Sequence, residues 1–180
     1  HNIVRKARAG TAVRGTNQPI DWNSHVRIGS NTKTFIATVL LQLEAEGKLS
    51  LNDSVEQWLP DVVQGNGNDG NQITVKHLLQ QTSGLFDYIS DKHFGATIET
   101  PNAFYANRFN TYTPRQLVDI AMGHEPNFTP GTKWEYSNTN YILAGMVIKS
   151  VTGQDLHSTI DSIKSDGKIT RHDPRFIIVT

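Results

Sequence analysis

The 180-residue chain contains no cysteine, which removes disulfides, thiolate nucleophiles and zinc-thiolate centres from the chemistry open to it. It has no excess of either charge. Lys and Arg number 17, as do Asp and Glu, so no overall field draws the chain to nucleic acid or to an anionic membrane. Long apolar runs are missing too: the longest, Phe35 to Leu43, is interrupted by Thr38 and Gln42 and is far short of the roughly 20 residues that span a bilayer. Hydrophobic residues make up 37%, below the globular average. Gly, Asn, Thr and Ser fill the stretches between apolar segments, which describes a loop-rich soluble protein of a size for one domain or part of a larger one. Because the chain opens at His1 without a methionine or an apolar leader, any secretion signal is expected to have been removed. The one basic cluster, Arg5, Lys6, Arg8 and Arg14, reads as a solvated strand face rather than a phosphate-binding patch.

The first segment, "NIVRKARAGTAVRG", alternates as a strand or hairpin arm and leads through a polar loop to a short strand at His25 to Ile28. The period then changes. From Thr32 to Glu46 the positions Phe35, Ile36, Val39, Leu40 and Leu43 predict a helix closed by Gly47, and Ala37 and Leu41 extend the apolar surface around most of its circumference. A short helix is expected in "LSLNDSVEQWLPD", capped by Asn52 or Asp53 and stopped by Pro60. "GNGNDGN", residues 65 to 71, reads as a flexible loop; it lacks the alternating acidic ligands and closing glutamate of a calcium loop. "ITVKHLLQQTSGL" reads as a helix ending at Gly84, residues 87 to 111 as a long polar segment, and "TPRQLVDIAMG" as a capped helix. "FTPGTKWEYSNTN" then supplies a turn and an extended stretch, and "YILAGMVIKSVTG" a last buried helix ending at Gly153. The final 27 residues are polar until "RFIIVT", a possible strand.

Chemistry concentrates in "RIGSNTKTF". A Ser-x-x-Lys match has little weight alone, since about one is expected by chance in a chain of this length. A second match, Ser165 to Lys168, has Asp-Gly at its centre and reads as a hairpin turn. Ser30 differs because it follows a short strand and Gly29 and opens a helix. Ser30 and Lys33 then share a face with Cβ atoms roughly 5–6 Å apart, close enough for an amine to take a proton from a hydroxyl. Two roles for Lys33 remain open: it is itself the base, or it stays charged and makes a second base more acidic. The plain alternative is an N-capping serine and a surface lysine. A partner is offered by Tyr136-Ser137-Asn138 after the Pro130-Gly131 turn. A tyrosine hydroxyl near an ammonium group can ionise and relay protons, while an asparagine amide can accept from lysine and donate to a carbonyl. Tyr105-Ala106-Asn107 has the same spacing but no preceding Pro-Gly turn and ranks lower. A Ser-His-Asp hydrolase is disfavoured because there is no Gly-x-Ser-x-Gly elbow, and metal catalysis because no two histidines have ligand spacing on a helix.

Four segments in order, "RIGSNTKTF", "GKLSLNDSVEQWLP", "LLQQTSGL" and "PGTKWEYSNTNYILAGMVI", resemble the serine beta-lactamase and D-alanyl-D-alanine carboxypeptidase superfamily. The branch is that of class C beta-lactamases, Streptomyces-type DD-peptidases and related esterases. The resemblance covers roughly residues 10 to 156. It implies an α+β fold with an antiparallel sheet packed on helices and a helical subdomain. It also implies an acyl-enzyme mechanism in which Ser30 attacks, Lys33 and Tyr136 shuttle the proton, and Asn138 holds the substrate amide. The Ser30 N–H would form half of an oxyanion hole. Neither cofactor nor metal is implied, and the chain is expected to act on a peptidoglycan stem peptide or beta-lactam as a secreted or cell-envelope monomer; the second reading is a truncated or degenerate homologue without turnover, a penicillin-binding or structural module. Three departures stand out. Gln81 occupies a place where relatives commonly carry His. The third family motif, a Lys or His followed by Thr or Ser and then Gly on a strand facing the serine, has no match, since Thr152-Gly153 follows Val151 and ends a helix. The third is length. The chain is read as a single incomplete domain over 1–180, with strands and the nucleophile helix in 1–49, a mainly helical region in 50–156, and an unassigned tail in 157–180. The C-terminal strands are expected to be missing or replaced.

Overall fold

The computed structural model describes residues 7–165 and 176–177. Strand β1 (Val26–Arg27) runs through Gly29, at φ 53°, into a 3-10 turn at Gly29–Asn31 and directly into helix α1 (Thr32–Ala45). A left-handed φ at the strand-to-helix junction is one that glycine adopts without steric cost. The apolar stripe predicted for α1 is present, but narrower than expected: Ile36, Val39, Leu40 and Leu43 are buried, whereas Leu41 is 51% exposed. Leu41 faces away from the stripe, so the helix is amphipathic and not buried all round.

Helix α2 (Val55–Trp58) is capped by Ser54, whose side chain accepts from the Gln57 N–H. The cap therefore falls one residue beyond Asp53, which instead accepts from Trp58 Nε1 and the Ser50 N–H. The stretch read as a flexible loop forms a tight antiparallel hairpin, β2 (Gln64–Gly65) with β3 (Asn68–Asp69). Buried Asn68 holds it, donating to the carbonyls of Gly65 and His124. Helix α3 (Val75–Gln80) begins with a capping box of Thr74 and His77. It ends at Gln81 in the left-handed conformation, before the predicted stop at Gly84.

The polar segment after it is more ordered than its composition suggested. A 3-10 turn at Tyr88–Ser90, α4 (Lys92–Ala96) and α5 (Pro101–Asn107) are each started by a side-chain cap, from Asp87, Asp91 and Thr100 respectively. Helix α6 (Pro114–Met122) carries the capping box of Thr113 and Gln116 that its sequence advertises. The long central helix α7 (Asn138–Thr152) ends at Gly153 as predicted but starts at Asn138, three residues earlier than the apolar run. It is not the last helix: α8 (Leu156–Ser165) follows and packs on α1 and α7. Helix α7 touches α1, α2, α3, α6 and α8, and its Leu143, Ala144, Val147 and Ile148 are fully buried.

Two sequence expectations change or fall outside these residues. Residues 7–14 form no strand; they belong to an irregular segment with a single bridge between Thr11 and Pro19. The Ser165 to Lys168 turn lies largely outside the described residues. Phe176–Ile177, within "RFIIVT", forms β4 and pairs in parallel with β1.

Candidate active site

Ser30 and Lys33 come from the start of α1, Tyr136 and Asn138 from the start of α7. Neither helix has a side-chain cap: Asn31 and Ser137 occupy the N-cap positions and make no capping bond. This separates both from α2 through α6, where a Ser, Thr or Asp performs that task. Ser30 is thus not the ordinary N-cap that its position allowed, and its hydroxyl is turned to other partners.

Those partners are the residues singled out in the sequence. Ser30 Oγ lies 2.8 Å from the Tyr136 hydroxyl, and Lys33 Nζ donates to Ser30 Oγ at 3.2 Å and to Asn138 Oδ1 at 2.8 Å. The Lys33 ammonium also stands 4.9 Å from the Tyr136 ring centre and 5.6 Å from that of Tyr141. Tyr105 is not part of this group. It is exposed on α5 beneath the Arg108 guanidinium.

Burial pushes the Tyr136 hydroxyl upward, but hydrogen bonds from Lys33 and Ser30, together with the Lys33 charge, outweigh it and bring the phenol below its ordinary value. The charge on Asp87 opposes this shift. Tyr88 and Tyr141, by contrast, are raised, chiefly by burial. Among the tyrosines around the serine, Tyr136 is the one made easier to ionise.

Of two supports, Gln81 is visible in sequence as a departure from the commonly found His that points to a structural contact, whereas Asp87 carries no sequence signal. Asp87 Oδ2 accepts from Asn138 Nδ2 at 3.0 Å, so the amide's oxygen faces Lys33 and its nitrogen faces a carboxylate. Gln81, buried and held at φ 61°, directs Oε1 at two donors, the Ser137 N–H at 2.9 Å and Asn140 Nδ2 at 2.6 Å. Ser83 Oγ donates to Asn140 Oδ1 at 2.5 Å, and the Glu135 N–H donates to the Gln81 carbonyl at 3.0 Å. These bonds anchor both flanks of Tyr136. Gly84 permits the close approach: a Cβ there would lie 2.0 Å from the Phe128 carbonyl oxygen. A sequence signal existed for this contact in "QTSG", but only as a loop motif without a visible partner.

A cavity of about 390 Å³ opens beside Ser30, Lys33 and Asn138, with an apolar wall that includes Ile36, Tyr88, Tyr112, Leu117, Tyr141 and Met146. It combines a few convergent polar groups with an apolar lining, the usual composition of a small-molecule site. Among the described residues no cluster of three or more His, Asp or Glu is arranged to hold a metal ion.

Fold and site together define a class: a protein whose helix-start serine is hydrogen-bonded to both a lysine and a tyrosine. The family model described as Beta-lactamase matches residues 2–161, so the chain belongs to that family, within the superfamily of serine beta-lactamases and DD-peptidases. It is similar to Protein flp of Staphylococcus aureus (strain MRSA252), 35% identical over 158 residues that cover 81% of this chain and 29% of the relative. Penicillin-binding protein 4* of Bacillus subtilis (strain 168) is 32% identical over 87% of this chain and 31% of its own length. Among solved structures, a D-stereospecific amidohydrolase from Streptomyces sp. superposes with a TM-score of 0.76 at 54% identity, covering 79% of this chain and 42% of that one. A D-amino acid amidase from Ochrobactrum anthropi SV3, complexed with L-phenylalanine, superposes with a TM-score of 0.70 at 29% identity, over 90% of this chain and 41% of that one. The chain therefore spans about a third of the length of the curated relatives it matches.

Proposed function

We propose that this chain carries the acylation centre of a serine hydrolase that attacks amide carbonyls next to D-configured residues. The observation that carries the reading is the shared hydrogen bonding of Ser30 with Lys33 and Tyr136. Ser30 Oγ attacks the carbonyl carbon as its proton passes to the Tyr136 phenolate. The tetrahedral intermediate collapses, the C–N bond breaks, and Tyr136 returns the proton to the leaving amine. Water then attacks the ester on Ser30 as Tyr136 takes its proton; the bond between the acyl carbon and Ser30 Oγ breaks, Tyr136 returns the proton to Ser30 Oγ, and the acid is released. Lys33 acts here as the cation that favours the phenolate, the second of the two roles open to it, because Tyr136 is the hydroxyl shifted downward. A positioned base of this kind contributes about 10²–10⁴-fold. Asn138 retains one N–H beyond its bond to Asp87, and that N–H donates to the substrate carbonyl.

Substrate choice is supported from two sides. The Streptomyces and Ochrobactrum relatives are described as acting on D-configured compounds, D-stereospecifically in one case and on D-amino acid amides in the other. The apolar wall beside Ser30 suits a hydrophobic side chain on the acyl portion. A second reading, a D-alanyl-D-alanine carboxypeptidase of the cell envelope, is favoured by the similarity to penicillin-binding protein 4*. Incubating the chain with D-phenylalanine amide and with a D-Ala-D-Ala peptide separates them. Release of ammonia from the first supports the amidase reading, release of D-alanine from the second supports the carboxypeptidase, and either product surviving Ser30→Ala sinks both.

A further inference from the structure

We propose that Asp87 is a positioning residue of this site, fixing the Asn138 amide so that its oxygen, and not its nitrogen, faces Lys33. An ionised carboxylate only accepts hydrogen bonds. With Asp87 Oδ2 at 3.0 Å, the Asn138 amide must present Nδ2 to it, which leaves Oδ1 as acceptor for the Lys33 ammonium at 2.8 Å. Turned the other way, the amide would set two N–H donors against a cation and leave the carboxylate unpaired. Asp87 is itself held at both ends. Its Oδ1 accepts from the Ile89 N–H at 3.3 Å and its carbonyl from the Ser90 N–H at 2.8 Å. Its neighbours are stitched to the first turn of α7, where Thr139 Oγ1 donates to the Phe86 carbonyl at 2.7 Å and accepts from the Tyr88 N–H at 3.2 Å. The carboxylate is therefore presented to Asn138 by a braced turn.

This inference rests on the reading of Ser30 as nucleophile for its catalytic consequence, but the amide orientation can be tested without it. In the full chain, Asp87→Ala is expected to slow acylation by a fluorescent penicillin about 10-fold or more. Asp87→Asn, whose amide oxygen can still accept from Asn138, retains most of the rate. In an Asn138→Ala background, Asp87→Ala has little additional effect if it acts through that amide; an equal slowing in both backgrounds, or no slowing in the wild-type background, overturns the proposal. The side-chain amide proton pair of Asn138, identified in nitrogen-15 spectra by its loss in Asn138→Ala, gives the independent readout. Asp87→Ala should shift that pair and speed its exchange with water, and an unchanged pair overturns the proposal even where acylation slows. If the wild-type chain is never labelled and releases neither ammonia from D-phenylalanine amide nor D-alanine from a D-Ala-D-Ala peptide, the proposed function fails and the amide signal alone decides the role of Asp87.

Discussion

At the scale of single residues, the proposed acylation turns on the ionisation of Tyr136. Burial and three groups around it, Lys33, Ser30 and Asp87, act in opposite directions, and the net shift is downward. A base is active when deprotonated, so the acylation rate should rise with pH through the Tyr136 pKa, and that rise should lie below the ordinary tyrosine value of about 10. Lys33→Gln removes a lowering influence and should move the rise to higher pH, while Asp87→Asn removes a raising one and should move it lower. Stopped-flow labelling across pH measures both, and a rise that ignores both substitutions contradicts the assignment. Ser30, Lys33, Tyr136 and Asn138 were legible in sequence because each pair sits within one short motif at a helix start. Asp87 was not, since a carboxylate in a polar loop has no periodicity, and its partner is 51 residues away.

The elements explain how two distant motifs meet. Starts of α1 and α7 are left without side-chain caps, and residues 81–85 clamp the extended stretch before α7 through Gln81 and Gly84. Gly84→Ala must fit a Cβ against backbone at φ 79°, so it should destabilise by more than about 1 kcal/mol, measured by urea unfolding. Labelling should fall with it, because the clamp holds Tyr136. His77 offers a second test at this scale. Burial first, and the Lys76 charge second, hold its imidazole below the ordinary value, and its Nδ1 accepts from the Thr74 N–H at 3.3 Å in the α3 cap. A histidine lowered on folding stabilises above its unfolded pKa of about 6.5, and that stability is lost as pH falls through the lower folded value. The melting temperature should therefore drop across this window, and less so in His77→Gln; identical pH slopes would remove the cap from the account. Helices with capping boxes or a terminal glycine, such as α6 and α7, were legible locally. The β2–β3 hairpin was not, because its polar Gly and Asn residues look like disordered chain until Asn68 finds the carbonyl of His124.

Over the whole molecule, α7 is the axis on which α1, α2, α3, α6 and α8 pack, and the site sits at its N-terminal end. Leu143→Ala, at a fully buried position of α7, should cost about 2–5 kcal/mol in urea unfolding, and the site should be lost in the same transition. Fold class was legible because family motifs occur in their expected order. The third motif was legible only as a gap, for no residues in this sequence supply it, and the chain spans 29% and 31% of the two curated relatives. All of the proposed chemistry depends on Ser30 being the nucleophile. Intact-mass measurement after exposure to benzylpenicillin, with the modified peptide mapped, tests it most directly. One added penicilloyl group is expected on the peptide containing Ser30, absent in Ser30→Ala; an adduct on another residue, or one that persists in Ser30→Ala, rules Ser30 out as the nucleophile.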